Sequence, residues 1–317
     1  MNPASTPRPF RFGVTALRPT TRAEWVSLAR KAEDLGFAIL TAPDHLTALF
    51  PPFAALMTVA EATRSLRVGT LVLNNDLRHP ALVAREAAAV DVFTSGRFEL
   101  GIGAGHARPE YEESGIVFEP GAIRVARLAE SVQVIKGLWA GTPTNFAGEH
   151  YQIRGHLSYP NPVQEPHPPL LIGGNARSLL RLAAREADIV GFTGLGRTLD
   201  DGQHHETSGF TAAAAAERLA VVRAAAAERF ASLELHALVQ AVVVTDNRER
   251  ASAELAQRVH LPNAAEVLGS PFLLVGTASQ MADSLRQRRA ELGLSYFTVF
   301  EQNMEALQPV VAILAGG

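Results

Sequence analysis

Two histidines are the side chains best suited to moving a proton near neutral pH, because unperturbed imidazole changes charge there. His45 follows Asp44 directly in TAPDHL, and His106 lies in GIGAGHARPE. The adjacent carboxylate of Asp44 could raise the pKa of His45 and suit it to accepting or giving a proton when a hydride moves. A loop histidine hydrogen-bonded to backbone is the other reading, and His106 carries the same pair of readings. The segment Ile172–Ser178, IGGNARS, runs a strand into two glycines and then into a helix N-terminus. Free backbone N–H groups and the positive helix end would converge there on one spot, as a phosphate cradle does. A tight strand-to-helix turn needing positive φ explains the same glycines. Gly101, Gly103 and Gly105 resemble a dinucleotide fingerprint. His106 stands where the third glycine is required, however, and Pro109 blocks an immediate helix, so a Rossmann site is rejected.

Other chemistries fall away. With no cysteine in the chain, thiolate nucleophiles, disulfides and iron–sulfur clusters are excluded. The two lysines, Lys31 and Lys136, both lie in helical patterns, which disfavours a Schiff-base mechanism. For metal binding, His204, His205 and Glu206 form the one candidate cluster, in a polar loop with Asp200 and Asp201 that is expected to be solvated; no metal is expected. Histidine and a bound cofactor remain as the agents of chemistry.

The elements that must position these residues show up as hydrophobic periodicity. Short β-type runs (Phe10–Thr15, Phe37–Thr41, Leu66–Leu73, Arg97–Gly103, Pro169–Ile172, Asp188–Thr193, Leu235–Thr245, Ser295–Phe300) alternate with helical segments. The helical segments include Arg22–Leu35, Pro52–Ala62, His79–Phe93, Arg124–Trp139, Ser178–Glu186, Ala212–Phe230, Arg248–Val259 and Ser279–Leu292, with a last helix ending at Leu314. Eight alternations predict a parallel sheet closed into a (β/α)8 TIM barrel. An open doubly wound sheet would want a glycine-rich turn after its first strand, and FRFGVTALRPT has none. Residues just past the strand ends then share one face: Asp44 and His45; Asn74, Asn75 and Asp76; Gly103, Ala104, Gly105 and His106; Gly173, Gly174, Asn175 and Ala176; and Thr193. Three long connections, Ala140–Pro168, Gly194–Thr211 and Leu261–Gly276, are expected to lie near that face. Phe50, Phe53, Phe210 and Phe272 lie in or beside loops that would cover it, as pocket lining or as core.

The chain has 317 residues, 47% hydrophobic and 19% charged, with a formal net charge of −3. It is globular in composition, and its interspersed charges lack the basic clustering that nucleic-acid binding needs. No run of apolar residues is long enough to span a membrane, and MNPASTPRPF has no signal-peptide core. A cytoplasmic protein is expected, with residues 1–9 as a disordered arm and residues 10–317 as a single barrel domain.

The combination of FRFGVT, AEDLGFAILTAPDHL, RVGTLVLNNDLRHPALVAREAAAVDVFTSGRFELGIGAG, ESVQVIKGLW, NPVQEPHPPLLIGGNARSLLRLAAREADIVGF and SPFLLVGTASQMADSLRQRRAELGLSYFTV resembles the bacterial luciferase-like family of flavin and deazaflavin oxidoreductases. The resemblance spans nearly the whole chain and is strongest to the F420-dependent branch. It implies a barrel with insertions that binds coenzyme F420, or alternatively FMN, across its C-terminal face, and a homodimer acting on a small-molecule substrate. It further implies that His45 sits near the reacting edge of the deazaflavin and that Asp44 contacts the ring or its side-chain hydroxyls. Leu71 and Val72 match a non-prolyl cis peptide behind the ring. Asn74 would hydrogen-bond the ring, Ala104 and Gly105 would line it, Gly173–Ala176 would hold the phosphate, and Thr193 would stand beside cofactor or substrate. His106 occupies the position where sugar-phosphate dehydrogenases of this branch carry a catalytic glutamate, a departure that puts sugar phosphate oxidation in doubt. The implied reaction is hydride transfer between the deazaflavin and an organic substrate. The alternative is a monooxygenase using reduced FMN from a partner reductase.

Overall fold

The computed structural model describes residues 8–196, 198–199 and 205–314. In chain order, β1 (Arg11–Thr15), α1 (Arg22–Asp34), β2 (Ile39–Ala42), α2 (Pro52–Ala62) and β3 (Arg67–Thr70) lead to the two-residue β4 (Leu73–Asn74), α3 (Pro80–Phe93) and β5 (Phe98–Gly103). Then follow α4 (Arg108–Glu113), α5 (Gly121–Trp139), β6 (Thr144–Ala147), β7 (Gln152–His156), β8 (Leu170–Gly173), α6 (Arg177–Glu186), β9 (Ile189–Phe192) and α7 (Ala212–Ala226). The last third holds β10 (Glu234–Val239), β11 (Ala241–Val244), α8 (Arg248–Arg258), α9 (Ala264–Gly269), β12 (Leu273–Gly276), α10 (Ala278–Leu292), β13 (Leu294–Phe300) and α11 (Met304–Leu314).

Eight strands close in parallel as the ring β1–β2–β3–β5–β8–β9–β10–β13 and back to β1. This is the (β/α)8 barrel the alternation predicts. Its strands are buried almost throughout, as a parallel sheet covered by helices requires. Local signals set the helix starts: Thr21 and Glu24 form a reciprocal capping box on α1, and Thr277 and Gln280 do the same on α10. Among the described residues no helix is long and apolar enough to cross a membrane.

At the N-terminal ends of the strands a charged network closes the barrel. Arg11 donates to Glu99 (2.6 Å) and to Glu234 (2.9 Å), and Arg67 also donates to Glu99 (2.7 Å). Burial by itself would raise the Glu99 carboxyl; the two arginines override that and hold it below the usual carboxylate range.

The structure departs from the sequence reading in five places. The run Leu66–Leu73 is two strands, β3 and β4, separated by a cis peptide between Leu71 and Val72. The run Leu235–Thr245 also divides: β10 stays in the barrel, whereas β11 leaves it to pair with β12. The connection Ala140–Pro168 contains the β6–β7 hairpin, and Leu261–Gly276 contains α9 and β12. Pro109 does not block a helix; it lies in the first turn of α4, where its missing N–H costs nothing. The arm expected over residues 1–9 lies largely outside the described residues, but Arg8 is in place, its guanidinium donating to Ser232 O at 2.6 Å.

Candidate active site

A cavity of about 1130 Å³ opens at the C-terminal ends of the barrel strands. Every candidate residue proposed for cofactor or catalysis lines it: Asp44, His45, Leu71, Val72, Asn74, Ala104, Gly105, His106, Gly173, Gly174, Asn175, Ala176 and Thr193. Of the three long connections only Gly194–Thr211 contributes to its wall, through Leu195, Gly196, His205 and others. The other two fold into elements of their own. Phe210 and Phe272 are core residues in ring contact with each other, and Phe53 packs against Phe98, so none of these covers the site; Phe192 and Phe300 are the phenylalanines that line it.

Val72 projects from the cis peptide against two strand ends. A Cβ built on Gly103 would lie 2.8 Å from Val72 Cγ2, and one on Gly173 would lie 3.0 Å from Cγ1. Those glycines are therefore required by close approach, and they leave Val72 as a small apolar platform between two polar corners.

One corner holds the histidines. Asp44 does not pair with His45, contrary to the expectation from their adjacency. Its carboxylate accepts from both guanidinium nitrogens of Arg78 and from the backbone N–H of Asn74 (3.0 Å). Arg78, 34 residues on, reaches Asp44 instead. The carboxylate that serves His45 is Glu110, which sequence reasoning missed: Oε1 accepts from His45 Nδ1 at 2.7 Å and Oε2 from Leu46 N at 2.8 Å. A carboxylate can only accept, so this contact puts the proton on Nδ1 and leaves Nε2 for the cavity. The signal that could have found Glu110 was the proline-started helix α4 immediately after a barrel strand.

His106 meets His45 edge-on at 5.4 Å between ring centroids, and the His205 ring is tilted against it at 5.0 Å. The ring faces the open cavity, yet desolvation by the enclosing walls, with His45, His205 and Arg124 nearby, lowers its pKa to about 4. It is neutral at pH 7. Asn74 Oδ1 accepts from Tyr111 OH (3.0 Å) and Asp76 N (3.1 Å), leaving Nδ2 as its donor. Burial, and then Asp76, push the Tyr111 phenol up to about 12. The carbonyls of Ala104 and Gly105 both accept from Arg124, whose guanidinium stacks over Phe118 at 4.1 Å.

The opposite corner is the glycine turn. Gly174 adopts φ +150, and α6 starts at Arg177 with no side-chain cap and no acidic residue in its first turn. Its first N–H groups and positive end are thus available to an anion, and Arg177 and Ser178 also line the cavity. Asn175 differs from expectation: its Nδ2 donates to Thr193 Oγ1 (2.5 Å) and Leu195 O (2.8 Å), so the side chain has no donor left for a phosphate. Leu195 O can only accept, which fixes the amide orientation and leaves buried Oδ1 without a partner. That oxygen is suited to a ligand hydroxyl. Thr193 is held in turn by Gln240, which donates to its carbonyl at 2.9 Å.

Among the described residues no group of three His, Asp or Glu side chains could hold a metal ion. Of the polar cluster singled out earlier, His204, Asp200 and Asp201 lie outside the described residues.

A model of the luciferase-like monooxygenase family matches residues 8–270. An F420-dependent glucose-6-phosphate dehydrogenase of Nakamurella multipartita is 33% identical over 195 residues, which cover 58% of this chain and 56% of the relative. An FMNH(2)-dependent dimethylsulfone monooxygenase of Pseudomonas putida is 31% identical over 127 residues, 40% of this chain and 35% of that one. The chain spans about half the length, or less, of these curated relatives. A solved F420-dependent secondary alcohol dehydrogenase, in complex with an F420-acetone adduct, superposes with a TM-score of 0.74 at 18% identity, covering 97% of this chain and 98% of that one. The likeness at that identity is one of fold. The closed barrel, the cavity at its C-terminal face and the family model over residues 8–270 agree: the chain belongs to the luciferase-like monooxygenase family.

Proposed function

We propose that the protein is a coenzyme F420-dependent oxidoreductase that moves a hydride between C5 of the deazaflavin and a small organic substrate. The observation that carries this reading is a single cavity joining the His45–Glu110 pair to the uncapped N-terminus of α6, with Val72 against the two glycines between them. Its relatives named as F420-dependent support the choice of cofactor. When bound, F420 supplies the hydride chemistry at C5.

The chain's own residues do the rest. Leu71 and Val72 back the ring, and Asn74 Nδ2 donates to it. Gly173–Ala176 and the first N–H groups of α6 hold the phosphate, while Asn175 Oδ1 accepts a side-chain hydroxyl. Thr193 and the Ala104–Gly105 segment close the sides. With an alcohol, His45 Nε2 takes the hydroxyl proton as the hydride leaves the adjoining carbon; with a carbonyl it returns that proton. Glu110 orients the ring and balances the charge of the imidazolium. His106, neutral, hydrogen-bonds the substrate oxygen, and Asp44 fixes the Asn74 loop through Arg78.

The second reading, a monooxygenase using reduced FMN from a partner reductase, is favoured by the dimethylsulfone monooxygenase relative. Titrating the purified protein with both cofactors separates the two. Micromolar binding of F420 with millimolar binding of FMN is expected, and the reverse order sinks the proposal.

A further inference from the structure

His236, at the third position of β10, is 1% exposed and yet lines the cavity. Its Nε2 lies 2.8 Å from Thr298 Oγ1, whereas Nδ1 has no hydrogen-bond partner. A buried ring nitrogen left without a partner costs the native state free energy unless a bound group completes it. The strand register shows where that nitrogen looks. His236, Gly191 and Gly173 stand side by side on β10, β9 and β8. Glycine at the adjacent position on β9, and again one strand further on β8, leaves that side of the imidazole without a β-carbon, while Tyr296 is its neighbour on β13. A Cβ built on Gly191 would lie 3.0 Å from Leu171 Cδ2, 3.3 Å from the Gly173 Cα and 3.5 Å from Nδ1. Gly173 in turn borders Val72, and with Leu171 packed beside both glycines, His236, Gly191, Gly173 and Val72 line one continuous wall of the cavity. Tyr296 packs edge-on against the imidazole at 4.6 Å and fixes its plane. Burial, with a smaller contribution from Arg11, lowers the His236 pKa to about 3, so the ring is neutral at pH 7 and serves as a hydrogen-bonding group.

We propose that Nδ1 of His236 hydrogen-bonds the heteroatom-bearing edge of the planar ring system that rests on Val72, which makes His236 a cofactor-binding residue at the floor of the site. The assignment rests on the F420 reading above for the identity of that ring.

Two amide replacements separate the two nitrogens, because asparagine sets its amide where Nδ1 stood and glutamine sets its amide where Nε2 stood. The measurements are F420 affinity by fluorescence titration, melting temperature without cofactor, and the 15N shift of His236 Nδ1 in the wild-type protein before and after F420 is added. His236→Gln keeps the Thr298 contact and the melting temperature but loses about tenfold in F420 affinity, as expected for one missing hydrogen bond. His236→Asn binds F420 close to wild type, and the Nδ1 resonance moves on loading. An unchanged affinity in His236→Gln, better binding by His236→Gln than by His236→Asn, or an Nδ1 resonance unmoved by bound cofactor overturns the assignment. A wild-type protein that takes up FMN and not F420 overturns the cofactor reading instead, and the same two variants titrated with FMN then decide the role of His236.

Discussion

Glu110→Gln isolates the pairing that orients His45. Glutamine keeps the volume of glutamate but offers one acceptor where two donors converge, His45 Nδ1 at 2.7 Å and Leu46 N at 2.8 Å. It also removes the negative charge that faces the imidazolium formed during proton transfer. Unit charges about 4 Å apart attract by roughly 4 kcal/mol at an effective dielectric of about 20. The His45 side chain is 31% exposed and Glu110 10% exposed, so water screens part of that attraction. Halving it leaves about 2 kcal/mol, or about 30-fold in rate. The assay is steady-state turnover with an alcohol or carbonyl that the wild type accepts, alongside F420 affinity and melting temperature. Because the charge matters only as the imidazolium forms, kcat and kcat/KM fall together while cofactor affinity stays put. A kcat near the wild-type value, or a loss confined to F420 affinity, would refute the pairing as a catalytic device.

His106 has a pKa near 4 and is already neutral over the working range, so His106→Gln lowers the height of the kcat–pH profile and leaves its shape between about pH 6 and 8 unchanged; a titration limb that disappears with the substitution contradicts this. Gly103→Ala sets a Cβ 2.8 Å from Val72 Cγ2 and displaces the platform. An overpacking cost of about 1–3 kcal/mol predicts F420 affinity at least roughly fivefold weaker by titration, and unaltered affinity would show that Val72 does not support the ring. Glu99→Gln takes the shared counter-charge from Arg11 and Arg67, whose side chains are 23% and 26% exposed, so roughly 2 kcal/mol of stability is lost, less than for a fully buried pair. Calorimetry then reports a melting temperature lower by several degrees, with turnover per folded molecule unchanged because the network lies at the other end of the barrel. Since the folded pKa of Glu99 is lowered, its contribution is complete above the unfolded value of 4.5 and fades as pH falls below it. The variant therefore also flattens the acid side of the stability profile, and an acid side as steep as in the wild type rules this out.

Much of the barrel is legible in the sequence because burial periodicity is local: each strand and helix writes its own pattern of apolar residues within about ten positions. The same locality explains the misreadings. A continuous apolar run does not record where its backbone turns, so Leu66–Leu73 and Leu235–Thr245 each read as one strand, although the first bends at Leu71–Val72 and the second leaves the ring at Gln240. Pro109 was a helix start and not a stop, a distinction that depends on whether the preceding residues are already helical.

By itself the sequence determines the strand–helix order, the absence of cysteine chemistry, and which residues follow the strand ends, because chain order and side-chain type are enough for those. Only the tertiary structure decides who pairs with whom. His45 meets Glu110 across 65 positions, Asp44 turns from its neighbour to Arg78, and His236 looks along Gly191 and Gly173 from a different part of the chain. Those partnerships arise when the ring closes and fixes the register between strands. A hydrogen bond a few tenths of an ångström wide in its tolerance depends on that register, and no single segment contains it.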